Sequence, residues 1–427
     1  MEQDNKNFNS GLPIICQLLI MVPDHLFKQA VEETESDRYY KKMKSKDHFI
    51  SLFYAVLTRN GSLREVCKNI ILLGKKLMYA GLKQIPCRST LSDANNNRDH
   101  SFFSNLYGKL YSYYRTELKT FHLPIGGEVS AGDVDIFDST TITLFKDIVK
   151  GAGRNPLNGN KKGGIKAFTK TNLSEGVPDF VCLKPASTNE NIFLKTLTLL
   201  KGAIAIFDKG FNKYFYFDLW TAKGIFFVTR LKTNAKYEIE TEFDCSEYPD
   251  VRQDQLISIV YRENKITRTV KLRLITYRDP ISGETLEFLT NMMGHTALTI
   301  SLLYKNRWTI ELLFKQIKQN FELKYFLSDS ENGIKSQIWV ALILNLIFTV
   351  IHRRIKQAED FSTLVQVAAK NLCSYVDLKL FLTQTEEYCK SWFKKEVGKM
   401  QLDIWANGMG DVFNNIRKPT KLEPNPI

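Results

Sequence analysis

At 427 residues the chain exceeds what one hydrophobic core holds, and 44% apolar with 25% charged residues excludes a fibrous or disordered class. Lys and Arg number 59 against 46 Asp and Glu, a net charge of +13, which favours a polyanionic partner and nucleic acid first. The seven cysteines form no C-x-x-C pair and none of the six histidines has a partner at ligand spacing, which excludes a disulfide framework and a zinc site.

In chain order, Met1 to Asn9 is polar and acidic, with no basic-then-apolar secretory pattern, and a cytoplasmic protein is expected. The first ~125 residues read as helical. Phe49, Ile50, Leu52, Phe53, Val56 and Leu57 recur at helical spacing, and Gly61 closes that segment. Ser62 to Glu65 forms a capping box before Val66, Ile70 and Leu73. A third start, Ser89-Thr90-Leu91-Ser92, leads to Asn95, Asn97 and Arg98, with Lys83 and Arg88 upstream. Residues 1–128 are therefore expected to form an all-helical domain, either a helix-turn-helix-type DNA reader or a plain bundle.

From Gly132 the period changes to two. Val134, Ile136 and Asp138 share one face of an extended run; Ile165 to Thr169 and Asp179 to Leu183 follow as strands. A helical stretch around Asn191 to Leu200 precedes Ala203 to Phe207, a continuous apolar run suited to a strand buried on both faces, and Asp208 ends it. Five further strands are expected, Ile225 to Arg230, Tyr237 to Phe243, Leu256 to Tyr261, Val270 to Tyr277 and Leu286 to Thr290. Helical periodicity returns only near Thr296, so residues 231–290 read as a β-rich insertion within an α/β domain spanning 129–360. Ile338 to Ile351 is short for a membrane span and is interrupted by Asn345, so a buried helix is expected and no membrane partner. Residues 361–427 read as a helical region ending in a disordered basic tail from Arg417.

Asp138 and Asp208 each end an apolar strand, where a carboxylate is costly to bury unless it is paired or binds a metal. Ligands of open α/β sheets gather at the carboxyl ends of strands, so two such aspartates can converge on one cation. Mg²⁺ takes oxygen ligands, and two such ions about 4 Å apart activate the attacking oxygen and stabilise the leaving one in phosphoryl transfer. Asp133 and Asp135 are set aside because alternation puts them on the other face of the run. A third carboxylate is offered by Glu311, which shares a helical stripe with Tyr304, Arg307, Lys315 and Lys318 while Leu312, Leu313 and Ile317 are free to face inward. Such a stripe can hold a metal and a phosphate side by side, although i,i+4 salt bridges on a solvated helix give the same spacing. Lys161, Lys162, Lys166 and Lys209 are weaker phosphate-contact candidates, since scattered lysines are usually only solvated.

Tyr304, two residues, Arg307, three residues, Glu311, six residues and Lys318 resembles the Y-R-E-K signature of bacterial insertion-sequence transposases with a DDE triad. The resemblance extends to Asp138-Ser139-Thr140, Asp208-Lys209-Gly210-Phe211, Thr229-Arg230, Leu289-Thr290-Asn291 and, in the helical region, Ser92-Asp93-Ala94-Asn95 followed by Arg98. It implies a ribonuclease-H-like mixed sheet in which Asp138, Asp208 and Glu311 bind two Mg²⁺ ions, with Mn²⁺ substituting. It also implies cleavage at the ends of a mobile element, joining of the freed 3′ hydroxyls to target DNA, and a homodimer on paired ends near the nucleoid. Tyr304, Arg307 and Lys318 would hold the DNA backbone. Trp308 is expected to be buried rather than stacked on a displaced base. Two rivals stand beside this: another nuclease of the same fold, which gives no reason for the Tyr-Arg-Lys stripe, and a non-catalytic DNA-binding derivative, which would be free to lose a carboxylate.

Overall fold

Apolar residues at helical spacing build the first third of the chain as expected. The computed structural model describes residues 11–73, 75–120, 124–144, 163–321, 323, 325–355, 360–383, 390 and 394. Helices α1 (Ile14–Ile20), α2 (Asp24–Glu33), α3 (Ser45–Leu57), α4 (Leu63–Leu73), α5 (Lys75–Tyr79), α6 (Arg88–Asn97) and α7 (Ser101–Leu118) lead into the sheet. The expected capping box opens α4: the Glu65 N–H donates to Ser62 Oγ at 3.2 Å, and Glu65 Oε2 accepts from the Gly61 N–H at 2.9 Å.

Asn95 and Arg98 face the interior at 1% exposure each, because they continue the buried stripe of Leu91 and Ala94. Arg98 Nε donates to the Ser36 carbonyl at 3.1 Å, Nη2 donates to the Met43 carbonyl at 2.7 Å, and its guanidinium lies 4.1 Å from the centre of the Tyr40 ring. It ties down the connection between α2 and α3. Asn95 Oδ1 lies 2.7 Å from His48 Nε2, inside the helical layer. Neither can read DNA from there.

The sheet has nine strands: β1 (Val134–Thr143), β2 (Gly164–Asn172), β3 (Pro178–Pro185), β4 (Ile204–Phe207), β5 (Phe226–Arg230), β6 (Glu238–Glu242), β7 (Val251–Glu263), β8 (Ile266–Arg278) and β9 (Thr285–Thr290). Their order is β3-β2-β1-β4-β5-β9-β8-β7-β6. β1 is antiparallel to β2 and β2 to β3, whereas β4 and β5 run parallel to β1, the ribonuclease-H-like arrangement. Helices α8 (Glu190–Thr196) and α9 (Tyr214–Ala222) cover one face, and α10 (Ala297–Lys305) and α11 (Trp308–Asn320) cover the other. Strand alternation feeds both cores. Phe137, Phe207 and Phe227 pack with Phe193, Phe217 and Trp220 on the first face, while Val134, Ile136, Ile206 and Val228 pack with Ile300, Leu303, Ile310 and Phe314 on the second.

The β-rich insertion expected at 231–290 is present as β6 to β9, and it extends the sheet. β9 returns antiparallel to β5, pairing Val228 with Thr290, so the open edge of β5 gains a partner and β8, β7 and β6 follow outward. Two side chains lock the return. Asn291 accepts from the Phe227 N–H at 3.0 Å and donates to the Ile225 carbonyl at 2.9 Å; buried Arg273 pairs with Asp254 at 2.6 and 2.8 Å and donates to the Met292 and His295 carbonyls.

The apolar run expected to be a buried helix lies in α12 (Glu331–Arg354), followed by α13 (Phe361–Lys370) and α14 (Leu378–Thr383). By length and composition α12 could cross a membrane, yet 89% of its most apolar window is buried inside the protein. It packs against α3, α6, α7 and α13, so the helical region closes its core around a helix from beyond the sheet. Asn345, the polar interruption, accepts from Gln316 of α11 at 2.9 Å and couples that core to the site described next. The tail from Arg417, with Lys161 and Lys162, lies outside the described residues.

Replacing Arg98 by Met leaves two buried carbonyls without their donors and should lower the unfolding free energy by about 3 kcal/mol. Denaturant unfolding measures this; a variant as stable as the parent, but weaker on DNA, would return Arg98 to a surface role.

Candidate active site

Phe137 of β1 pairs with Phe207 of β4 in parallel register, so the next residues, Asp138 and Asp208, stand side by side; Asp208 follows the end of β4 as expected, whereas Asp138, expected to end its strand, lies within β1, which runs on to Thr143 because β2 continues to pair with it. Both are half-buried. Asp138 Oδ1 accepts from the Ser139 N–H at 2.7 Å. Asp208 caps a single 3-10 turn, Lys209–Phe211, and its Oδ2 accepts from the Gly210 N–H at 3.1 Å. That turn is held by a residue not singled out from sequence. Asn212 donates to the Arg230 carbonyl at 2.8 Å and accepts from Thr229 Oγ1 at 2.9 Å, fastening the loop after Asp208 to β5. Its adjacency to Asp208-Lys209-Gly210-Phe211 was the available signal.

The third carboxylate arrives on α11, which packs along β1. Glu311 sits in the first turn of that helix. Arg307, at its N-cap and 9% exposed, lies between the acids, with Nη1 2.5 Å from Glu311 Oε1 and 3.7 Å from Asp138 Oδ2. Those two carboxylate oxygens are therefore no further apart than the sum of the two distances. Two turns on, Lys318 Nζ donates to Thr140 Oγ1 at 2.6 Å and to the Thr141 carbonyl at 3.1 Å, clamping α11 to β1 beyond Asp138.

Electrostatics follow from this crowding. Burial pushes the Asp138 carboxyl up to about 6; the Ser139 N–H and Arg307 pull it down, and the charges of Asp208 and Glu311 push it up. Burial likewise pushes the Tyr304 phenol up to about 12 and the Lys318 ammonium down.

Several details of the expected stripe are corrected. The helix breaks at Asn306 and Arg307, so Tyr304 belongs to α10 and is buried against Phe288, with ring centres 4.9 Å apart and a hydroxyl that has no partner. Leu312 does not face inward: it is 60% exposed, while Leu313 and Ile317 are buried. Trp308 is also 60% exposed rather than buried, its ring 5.3 Å from the Arg307 guanidinium. The break rotates α11 relative to α10, which one continuous period could not anticipate. Lys166 is not a free phosphate contact, since its Nζ pairs with Glu190 at 2.5 Å. Asp135, correctly separated from Asp138, pairs with Lys170 at 3.3 Å.

Three carboxylates offer hard oxygen donors, the chemistry a divalent cation takes, and the Asp138 carboxyl is raised chiefly by its burial, with smaller contributions from Asp208 and Glu311. Among the described residues no group of three His, Cys, Asp or Glu side chains stands at metal-holding spacing. The donors suit such an ion in chemistry, while in this arrangement the Arg307 guanidinium supplies the positive charge between Asp138 and Glu311.

A family model for the transposase DDE domain matches residues 130–346, from the turn before β1 through most of α12. The chain belongs to the DDE transposase family. A second model, for a domain of unknown function, matches residues 10–83. Among curated relatives, a protein named as a transposase in Sinorhizobium fredii is 27% identical over 63% of this chain and 72% of its own length. One named as the transposase of an insertion sequence in Synechocystis is 24% identical over 62% and 71%, and one from Geobacillus stearothermophilus 22% over 53% and 59%. Among solved structures, the piggyBac transposase synaptic complex with hairpin DNA matches 91% of this chain and 85% of that one at 10% identity, with a TM-score of 0.42. The fold of this transposase is defined by its own strand order.

Because the Asp138 carboxyl is raised, its ionised form costs the folded state above pH ~6, and the cost disappears as pH falls to the unfolded value near 4. Asp138→Asn should therefore stabilise the transposase by roughly 1–3 kcal/mol at pH 8 and by nothing at pH 4. Paired melting curves at the two pH values check this; a variant less stable at pH 8 contradicts it.

Proposed function

We propose that this transposase cuts the ends of a mobile element and joins the freed 3′ hydroxyls to target DNA, with Asp138, Asp208 and Glu311 as its catalytic and metal-binding residues. The observation that carries the reading is the side-by-side placement of Asp138 and Asp208 on paired parallel strands, with Glu311 brought against Asp138 across Arg307. Two Mg²⁺ ions, with Mn²⁺ substituting, would be held by these three carboxylates and would supply charge neutralisation at the scissile phosphate. Everything else is the work of the chain. The β1–β4 pairing presents Asp138 and Asp208 to the same phosphate, and the Lys318 clamp keeps Glu311 over β1. Arg307 and Lys318 form the cationic border for the DNA backbone; Tyr304, buried beneath Arg307, acts by supporting that guanidinium rather than by reaching outward.

Retention of all three acids, with Asp208 beside Asp138 and Glu311 linked to Asp138 across Arg307, supports an active enzyme over a non-catalytic DNA-binding derivative. The cationic border supports a DNA strand-transfer enzyme over a general nuclease. Exposed Arg64 and Arg88, which border a polar cleft between α4, α6 and residues 326–329, support the helical region as a second DNA-contacting surface. A homodimer on paired ends follows from the chemistry of joining two ends.

Asp208→Asn removes a metal ligand and no basic group, so strand cleavage should fall below detection while binding to the element's ends stays within about twofold. Incubation with end DNA and Mg²⁺, followed by mapping of nicked and joined products, tests the site; persistent cleavage removes Asp208 from it. The double change of Arg64 and Arg88 to Ala should weaken end binding and shrink the salt dependence by about two phosphate contacts, with no change in the metal requirement. An unchanged salt slope would take that cleft out of the DNA path.

A further inference from the structure

Arg307 is assigned above to the DNA backbone, yet its guanidinium is engaged elsewhere. Nη1 contacts Glu311 at 2.5 Å and Asp138 at 3.7 Å, the same two carboxylates proposed to hold metal. The side chain is pressed between the rings of Tyr304 and Trp308, at 5.7 and 5.3 Å. Its Nε is buried without a hydrogen-bond partner, and so is the Tyr304 hydroxyl beneath it. A guanidinium recognises phosphate best through two parallel N–H groups. Here Nη1 serves the carboxylates while Nε serves nothing. The outer side of this corner is open, since Trp308 is 60% exposed.

The geometry points to an exchange: Arg307 is the internal counter-ion of Asp138 and Glu311, and a DNA phosphate draws it off them, so that DNA binding and metal loading favour each other. This rests on the reading of Asp138, Asp208 and Glu311 as the metal site. Two cations cannot occupy the same carboxylate oxygens without repulsion, and a guanidinium turned outward to phosphate leaves those oxygens to the metal while satisfying its own idle Nε. The coupling is reciprocal, so a divalent ion tightens DNA binding by the factor by which DNA tightens ion binding. Arg307 is then a positioning residue that orders assembly, ensuring that a charged centre forms when the polynucleotide is in place.

The test measures Mn²⁺ binding to the full-length protein by the electron paramagnetic resonance of the free ion, without DNA and with a duplex carrying the element's own end. Without DNA, Arg307→Gln should bind Mn²⁺ roughly tenfold more tightly than the parent, the scale expected when a charge about 4 Å from a half-exposed site is removed. With DNA bound, that advantage should vanish. Arg307→Lys, whose single ammonium cannot bridge both acids as a planar guanidinium does, should fall between the two and serves if the neutral variant melts early. Equal Mn²⁺ affinity in parent and variants, abolished by Asp208→Asn, would keep the metal site and overturn only the exchange. No Mn²⁺ binding to any of these proteins would overturn the metal site and the exchange together.

Discussion

The structure depends on one pairing, the parallel register of β1 with β4 that sets Asp138 and Asp208 side by side. Everything around it makes that costly placement tolerable. Two carboxylates, joined by a third from α11, repel one another at the edge of a dry core, and such a cluster persists only where surrounding packing overrides it. The override comes from two apolar layers, one on each face. The aromatic stack of Phe137, Phe207, Phe217 and Phe227 lies on one side, and aliphatic contacts from α10 and α11 lie on the other. Arg307 offsets part of the remaining repulsion and is held in turn by Tyr304 and Trp308.

Long-range connections make the site rigid. Lys318 clamps α11 to β1, Asn212 ties the loop after Asp208 to β5, and Asn291 secures the return of β9 against β5. Through Gln316 and Asn345, α11 is also joined to α12, around which the N-terminal helices close. The helical region is therefore connected to the helix that carries Glu311 through one hydrogen-bonded pair and the packing beside it. This gives the helical region a structural route to the candidate active site, and its basic cleft at Arg64 and Arg88 lies against residues 326–329, between α11 and α12.

Much of this was legible in the residues. Period-two runs marked the strands, the unbroken apolar run before Asp208 marked a strand buried on both faces, and spacing alone joined Arg307, Glu311 and Lys318 on one helix. Errors arose where local period is blind to three-dimensional context. The break at Asn306 and Arg307 turned Leu312 and Trp308 outward, and the buried stripe of α6 drew Arg98 inside, because a long cationic side chain can serve backbone carbonyls as readily as phosphate. The β-rich insertion was legible, but its pairing was not, because sequence order separates β5 from β9 and only hydrogen bonding makes them neighbours.

By itself the sequence determined the element types, the placement of Asp208 at the end of its strand, the glutamate helix and the family those motifs resemble, since each depends on residues close together in the chain. Only the tertiary structure decided that β6 to β9 extend the same sheet, that α12 lies in the core of the N-terminal helices, and that Arg307 bridges Asp138 to Glu311. Those outcomes rest on contacts between residues scores of positions apart, whose formation follows from edge hydrogen bonding, buried area and charge balance rather than from any local pattern.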